Sequence, residues 1–134
     1  MIELKNKMTK QEVFDYVVYH MLTQSSQCRV AGNFKYHSGD LRSPAGFLIK
    51  SDEYSSEIEG KPLLSIDENL LPQRVIDNLN FVDKLEDIHN IFPMKSWKHG
   101  LINLCATHEL SAYVLGKFNW NGREYERAQN YERS

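Results

Sequence analysis

Cysteine and histidine are the side chains of this 134-residue chain that are best suited to nucleophilic chemistry, and the chain has two cysteines and five histidines. Cys28 lies in an irregular segment, where a base such as His37 or His99 could generate a thiolate. Neither cysteine lies in a local motif of a thiol enzyme. We therefore predict no catalytic residue, and Cys28, His37 and His99 define the alternative of a small thiol-dependent or hydrolytic enzyme.

Cys105 and His108 are three residues apart on one predicted helix, so both could bind the same zinc ion. The sequence has no second ligand pair at zinc-finger spacing. It also has none of the glycine-rich phosphate loops that mark the common nucleotide-binding folds. We predict neither a metal site nor a cofactor, with Cys105 and His108 as the alternative metal ligands.

The segment SDEYSSEIEG, residues 51–60, concentrates acids and hydroxyls. Ser51 is typical of a helix N-cap, and Asp52 and Glu53 would stabilise the first turn of a short helix that follows it. The carboxylates lack the alternating spacing and the central glycine of a calcium-binding loop. The segment therefore predicts an acidic helical face that offers four residues to a partner: Asp52, Glu53, Ser56 and Glu57.

The C-terminal stretch KFNWNGREYE has the strongest hairpin pattern in the chain. Asn121 and Gly122 suit a two-residue type I′ turn, with Trp120 and Tyr125 on the flanking strands. Large aromatic side chains on an edge strand are typical of contact surfaces. Trp120 and Tyr125 are therefore predicted to contact a partner or a second copy of the chain, and residues 126–134 are predicted to form a flexible tail.

Helical periodicity accounts for most of the remaining apolar residues. Thr9 and Glu12 have capping-box spacing at the start of the first predicted helix. Another helix is predicted to begin near Leu71, and apolar stripes predict two more, within residues 81–92 and 96–108. The apolar face of the first helix consists of Val13, Phe14, Val17, Val18, Met21 and Leu22.

Between Cys28 and Ile49 the helical period is lost, and several glycines and a proline interrupt the sequence. The pieces NFKYH and GFLI are typical of short strands, and the SGD between them can turn the chain. Phe34 and Tyr36 are predicted to pack on the helices. Together these patterns predict an α+β fold: a single, mainly helical domain over residues 1–134, with about four helices and one or two small antiparallel hairpins.

Charge and hydropathy restrict the classes of partner. The 18 acidic residues slightly outnumber the 16 basic ones, and the basic residues are scattered. This disfavours nucleic acid, because phosphate binding requires clustered cations. No apolar run approaches the ~18 residues of a membrane span, and the N-terminal sequence lacks the pattern of a secretory signal. We therefore expect a cytoplasmic protein with no membrane partner.

The stretch GFLIKSDEY and the Glu-Gly that follows it contain a distinctive set of residues: Gly46, Leu48, Ile49, Asp52, Tyr54, Glu59 and Gly60. They resemble the G-x-L-I-x-D-x-x-Y and E-G pattern of a loose group of small, uncharacterised phage, prophage and bacterial proteins, with the aspartate one position later here. The resemblance covers about residues 9–110 and implies no biochemical activity. The group tends to have cysteines near the positions of Phe34 and Pro44. This chain has no cysteine at those positions, so the resemblance implies no thiol or metal role for it.

The leading functional prediction is a non-enzymatic protein-binding module. The lack of a catalytic motif and the excess of acids favour a partner with a basic surface. The resemblance implies that this partner is a host or defence protein, which the module would inhibit in the manner of an anti-CRISPR or other anti-defence protein. Two alternatives remain, the small enzyme described above and a structural, homo-oligomeric accessory protein that uses the C-terminal hairpin.

Overall fold

Helix α1 (Lys10–Gln24) begins at the predicted capping box in the computed structural model, which describes residues 3–128. The Thr9 hydroxyl accepts from the Glu12 backbone N–H at 3.1 Å, and the Glu12 carboxylate accepts from the Thr9 N–H at 3.0 Å. The helix ends at Ser25, whose backbone is left-handed. All of the predicted apolar positions of this helix are fully buried, which confirms the prediction.

Two small antiparallel hairpins follow α1. Strand β1 (Arg29–Val30) pairs with β2 (Asn33–Phe34), and β3 (His37–Ser38) pairs with β4 (Leu41–Arg42). The first turn places Gly32 at a φ of +81°, a conformation that strongly favours glycine. The segment that lacks helical periodicity therefore folds into separate two-residue ladders.

The GFLI piece forms the end of a short helix and the turn that follows it, so the prediction of a strand there is wrong. Helix α2 (Pro44–Phe47) starts after Ser43, whose hydroxyl accepts from the Gly46 N–H at 3.2 Å. Proline at the first helical position is pre-organised for the helix. Close packing requires glycine at position 46, because a Cβ atom there would lie 2.0 Å from the carbonyl oxygen of Tyr36.

The acidic segment does not form the predicted helix after Ser51. Residues 51–53 make a turn, and a 3-10 helix (Ser56–Ile58) begins later, capped by the side chain of Ser55. The Glu53 carboxylate instead accepts two hydrogen bonds, at 2.7 and 3.1 Å, from the fully buried guanidinium of Arg74. Glu53 therefore combines a tertiary ion pair with a local hydrogen bond from the Lys50 N–H, at 2.9 Å, and does not lie in the first turn of a helix as predicted.

Glu59 joins the acidic segment to the hairpins. Its carboxylate accepts from the backbone N–H of Tyr36 at 2.9 Å, from the N–H of His37 at 3.1 Å and from the Tyr54 hydroxyl at 2.6 Å. The His37 ring stacks on Tyr54, with centroids 4.1 Å apart. Tyr54 and Glu59 of the distinctive sequence block therefore fix residues 51–60 against the hairpins.

The second half of the chain is mainly helical, with α3 (Gln73–Ile76), α4 (Leu79–Ile91) and α5 (Trp97–His108). The helix predicted from Leu71 begins later, at Gln73, with Pro72 as its N-cap residue, and it is only one turn long. Helix α4 has the predicted apolar stripe. Three residues of that stripe are buried: Phe81, Leu85 and Ile88.

The C-terminal hairpin pairs β5 (Phe118–Trp120) with β6 (Tyr125–Arg127), as predicted. The connection consists of residues 121–124, so the prediction of a two-residue type I′ turn is wrong. The side-chain oxygen of Asn121 accepts from the backbone N–H groups of residues 123–124, both at 2.9 Å. This side-chain contact stabilises the longer loop.

The described residues share one hydrophobic core and confirm the α+β fold, with five α-helices and three two-stranded hairpins. Glu126 and Arg127 are paired in β6 rather than part of the predicted tail, and residues 129–134 lie outside the described part of the chain. Among residues 3–128, no helix is long and apolar enough to cross a membrane.

Candidate functional site

An open cleft of about 520 Å³ lies between helix α4 and two other segments, residues 33–36, which include strand β2, and residues 60–63. We call it the acidic cleft. Its α4 residues follow the spacing i, i+3, i+4 and i+7, which places them on one face of the helix. This polar face consists of Asp83, Glu86, Asp87 and Asn90.

Glu86 is the buried member of this face, with 7% of its surface exposed. Its carboxylate accepts from the Ala45 N–H, in the first turn of α2, at 2.8 Å. The pKa of Glu86 is raised to about 7, chiefly by burial and also by the carboxylates of Asp83 and Asp87, against the lowering effect of hydrogen bonds from Ser43 and Ala45. At neutral pH this acid can therefore either accept or donate a proton.

The opposite wall is held together by a hydrogen bond from the buried Tyr36 hydroxyl to the carbonyl oxygen of Lys61, at 2.6 Å. Phe34 lines the same wall, and the guanidinium of Arg29 lies 4.2 Å from its ring centroid. An aromatic face attracts a guanidinium through its quadrupole. The wall is therefore fixed in place and includes a ring that already binds a cation.

Three carboxyl groups of α4, of which Glu86 is only partly ionised at neutral pH, and the two lysines Lys35 and Lys61 line the cleft, so its negative charge is concentrated on the α4 side. The pKa of Asp83 is raised by burial and by the negative charge of Asp87. Like charges repel, and a cation placed near both carboxylates would lower their energy. The α4 side of the cleft therefore favours a positively charged group.

His89 supports the cleft from within α4. Its Nε2 accepts from the backbone N–H of Cys28 at 3.1 Å, so the ring proton resides on Nδ1 and is donated to the side-chain oxygen of Asn90 at 2.6 Å. Burial lowers the pKa of His89 to about 4, which keeps the ring neutral at neutral pH. The neutral ring orients Asn90, one of the cleft residues.

Cys28, the nucleophile of the alternative enzyme prediction, is poorly suited to catalysis. Cys28 is fully buried, and burial raises the pKa of its thiol to about 11, so the thiolate is scarce at neutral pH. Within residues 3–128, no hydrogen bond joins its sulfur to a histidine. The Nε2 of His37 contacts the carbonyl oxygen of Gly46 at 2.9 Å, and His99 is exposed on α5.

Cys105 and His108 have separate surroundings. The Cys105 thiol, whose pKa is raised to about 11 by burial, lies 3.7 Å from the carbonyl oxygen of Ser111. The His108 ring contacts the Lys10 ammonium at 3.2 Å and lies edge-on to Phe81 at 5.0 Å. In the described part of the chain, no group of three or more His, Cys, Asp or Glu side chains is arranged to hold a metal ion.

The predicted acidic partner-binding residues divide into two groups. Asp52, Ser56 and Glu57 are exposed, on the segment that leads into the 60–63 wall of the acidic cleft. Glu53 is held in the internal ion pair described above. Partner binding by the exposed residues stays a prediction.

The aromatic pair of the C-terminal hairpin is unevenly exposed. Tyr125 is buried, and its hydroxyl donates to the carbonyl oxygen of Met94 at 2.7 Å and accepts from the Lys98 N–H at 3.2 Å. Trp120 is half-buried, with its ring centroid 4.9 Å from that of Tyr125. Partner or self contact by these residues stays a prediction, in which Trp120 provides the accessible surface.

Sequence reasoning missed the acids of α4 as site residues. Their helical spacing was a readable signal, but the segments that face them come from distant parts of the chain. No protein-family model, curated protein or solved structure matches the chain. Function is therefore inferred from the geometry and charge of the acidic cleft.

Proposed function

We propose that the protein is a non-enzymatic protein-binding module that holds a lysine or arginine side chain of its partner in the acidic cleft. The observation that carries this proposal is the placement of Asp83, Glu86 and Asp87 on one face of α4, opposite a wall fixed by the Tyr36–Lys61 hydrogen bond. A cleft formed before binding loses less conformational entropy when the ligand is ordered.

The partner should carry a basic surface around the side chain that enters the cleft. Asp52 and Glu57 are exposed on the segment that leads into the cleft wall, where they add negative charge outside the cleft itself. Complementary charge accelerates encounter and excludes acidic competitors. This arrangement is consistent with recognition of a basic patch rather than of a single residue.

The resemblance to small phage and prophage proteins favours a host or defence protein as this partner. By covering a basic surface that the partner uses elsewhere, the module would inhibit or redirect it. An anti-CRISPR or other anti-defence inhibitor is the most specific form of the proposal. The excess of acidic over basic residues in the chain supports such binding through charge.

Matched charge variants test the proposal. The double variant Asp83→Asn, Asp87→Asn removes two cleft charges, whereas the control Glu68→Gln, Glu124→Gln removes two charges from exposed acids outside the cleft. Each tagged protein is used to capture companions from a bacterial host lysate at low and high salt. The proposal predicts one stoichiometric companion with the unaltered protein and the control, lost with the cleft variant and weakened by salt.

Two outcomes of the capture experiment would refute the proposal. A companion that binds the cleft variant as well as it binds the unaltered protein would place the interface elsewhere. Failure to retain any companion from lysates of a range of hosts would remove the support for a protein-binding role.

A hydrolytic enzyme is the second candidate, and the pKa of about 7 for Glu86 is the observation that favours it. A carboxyl group that titrates near neutral pH in a cleft is suited to general acid–base catalysis. The test is hydrolysis of 4-nitrophenyl acetate, phosphate and glycosides by the unaltered chain and by Glu86→Gln. Turnover that is lost in the variant, with a pH inflection near the pKa of Glu86, supports the enzyme, whereas equal background rates exclude it.

A further inference from the structure

Asn121 and Gly122 begin the exposed connection of the C-terminal hairpin, residues 121–124, which we call the hairpin loop. No other asparagine of the sequence is followed by glycine. Asparagine is thermally labile, because the backbone nitrogen of the next residue can attack its side-chain amide. Glycine has no Cβ atom, so it leaves that nitrogen unhindered. The pair that predicts a turn is therefore also a place where the chain can modify itself.

Gly122 is open to solvent. Its surface is exposed, and its backbone has a φ of +98°. Within residues 3–128, no atom other than those of its chain neighbours lies within 4 Å of the point that a Cβ atom would occupy. Water and hydroxide therefore have access to this part of the hairpin loop.

The Asn121 side chain is held over the backbone that follows it. Its Oδ1 accepts from the backbone N–H groups of Arg123 and Glu124, both at 2.9 Å. Gly122 lies between Asn121 and these two donors, so the hydrogen bonds hold the side-chain amide beside the backbone of Gly122. Reacting groups that are held close together react faster than groups that must first find each other.

The same two N–H groups can stabilise the transition state of an attack on this amide. Attack at the amide carbon moves negative charge onto Oδ1. Backbone N–H groups that point at a developing oxyanion lower the barrier of acyl-transfer reactions in enzymes. The N–H groups of Arg123 and Glu124 already have this position in the hairpin loop.

We propose that the folded hairpin loop promotes the deamidation of Asn121. Hydroxide removes the amide proton of Gly122, and the nitrogen bonds to Cγ of Asn121, which places the charge on Oδ1. The Cγ–Nδ2 bond breaks as Nδ2 takes a proton from water and leaves as ammonia, which closes a succinimide ring and regenerates hydroxide. Water then opens the ring, at Cγ to give aspartate or at the main-chain carbonyl carbon to give isoaspartate. The reaction consumes water alone.

Deamidation changes the charge at this end of the hairpin. The Nδ2 of Asn121 donates to the carboxylate of Glu126 at 3.3 Å. The product has a carboxylate in place of this amide, so repulsion between like charges replaces a hydrogen bond. Isoaspartate also lengthens the main chain of the loop by one methylene group. The site is independent of the acidic cleft and of the proposed protein-binding function.

The test is incubation of the full chain at mildly alkaline pH, followed by tryptic digestion and mass spectrometry. One sample stays folded, and a second is unfolded in guanidinium chloride. Deamidation adds about 1 Da, because a hydroxyl group replaces an NH₂ group. Fragmentation of the peptide 118–123 locates the change, with Asn119 as the internal control. Asn121 should react at least about twofold faster in the folded chain than in the unfolded chain.

Three variants separate the effect of the loop from the reactivity of the sequence. Arg123→Pro removes one of the two N–H donors and should slow deamidation of the folded chain by at least about tenfold. Arg123→Ala removes an exposed side chain but keeps the donor, so its rate should stay within about twofold of that of the unaltered chain. Asn121→Gln should gain no mass at this position over the same time, because its longer side chain would have to close a less favourable ring.

Deamidation at Asn121 that is faster in the folded chain, and slower in Arg123→Pro than in Arg123→Ala, supports the proposal. The proposal is overturned if the folded chain reacts no faster than the unfolded chain. It is also overturned if other asparagines of the folded chain are modified before Asn121, or if the two Arg123 variants react at the same rate.

Discussion

Replacement of Glu86 by glutamine should change how stability depends on pH. The folded chain raises the pKa of Glu86 from its ordinary value of 4.5 to about 7, chiefly through burial. The folded state therefore binds more protons than the unfolded state between these values. The contribution of Glu86 to the free energy of unfolding is therefore complete below pH 4.5 and is lost as the pH rises through about 7. The difference corresponds to about 3 kcal/mol of unfolding free energy.

His89 produces the opposite slope in the unaltered protein. Burial lowers its pKa from 6.5 to about 4, so its contribution is complete above pH 6.5 and is lost as the pH falls through about 4. The two residues therefore compensate each other over much of the acidic range. The pH profile of the unaltered protein hides both effects, and only a difference between variants isolates Glu86.

The Glu86→Gln amide stays neutral at all pH values and keeps an oxygen that can accept from the Ala45 N–H. The difference in unfolding free energy between the variant and the unaltered chain should therefore grow by about 3 kcal/mol in favour of the variant as the pH rises from about 4.5 to about 8.5. Urea denaturation followed by tryptophan fluorescence measures this difference. Glu68→Gln, at an exposed acid, should show a constant difference over the same range. A constant difference for Glu86→Gln would refute the reasoning.

Three further predictions concern packing, the buried ion pair and the thiols. Gly46→Ala should lower the free energy of unfolding by about 3 kcal/mol, because the added Cβ meets a backbone carbonyl. Gly60→Ala, where the Cβ has open space but φ is +78°, should lower it by about 1 kcal/mol. Equal losses of the two variants in urea denaturation would contradict this prediction. Glu53→Ala should lower the free energy of unfolding by about 2 kcal/mol, since it leaves the buried Arg74 guanidinium without a carboxylate. An unchanged denaturation midpoint would show that the ion pair does not stabilise the fold. Both cysteines should react with Ellman's reagent at least about tenfold more slowly than a free thiol until urea unfolds the chain, and rapid labelling of the native protein would contradict their burial.

Local signals explain what the sequence predicted well. The capping box of Thr9 and Glu12 and the apolar stripes of α1 and α4 depend on residues within one or two helical turns of each other. The C-terminal hairpin is likewise a contact between neighbouring segments. Interactions of this kind can be read from spacing alone.

Contacts between distant residues explain what the sequence did not predict. The GFLI piece begins inside a short helix where the Ala45 N–H donates to Glu86, forty-one positions away. Glu53 binds Arg74 across twenty-one positions and no longer supports a helix of its own. In both places a buried polar group is satisfied by a partner that local propensity cannot reveal.

The candidate site shows the same division. The acids of α4 could have been found from their helical spacing, but only the fold places them opposite residues 33–36 and 60–63. The raised pKa of Glu86 is likewise a consequence of burial rather than of sequence neighbours alone. A surface formed by separate segments requires the tertiary structure to be recognised.

Binding of a guanidinium in the acidic cleft is tested most directly by NMR titration with N-acetylarginine amide, with the uncharged isostere N-acetylcitrulline amide as the matched probe. The side-chain amides of Asn33 and Asn90, which line the cleft, report the binding. The arginine probe should shift both amides with a millimolar dissociation constant. The double variant Asp83→Asn, Asp87→Asn should bind this probe at least about fivefold more weakly, whereas the double variant Glu68→Gln, Glu124→Gln should bind it as tightly as the unaltered chain. Equal shifts with the citrulline probe, or equal affinity in the cleft variant, would contradict a cation-binding role for this cleft.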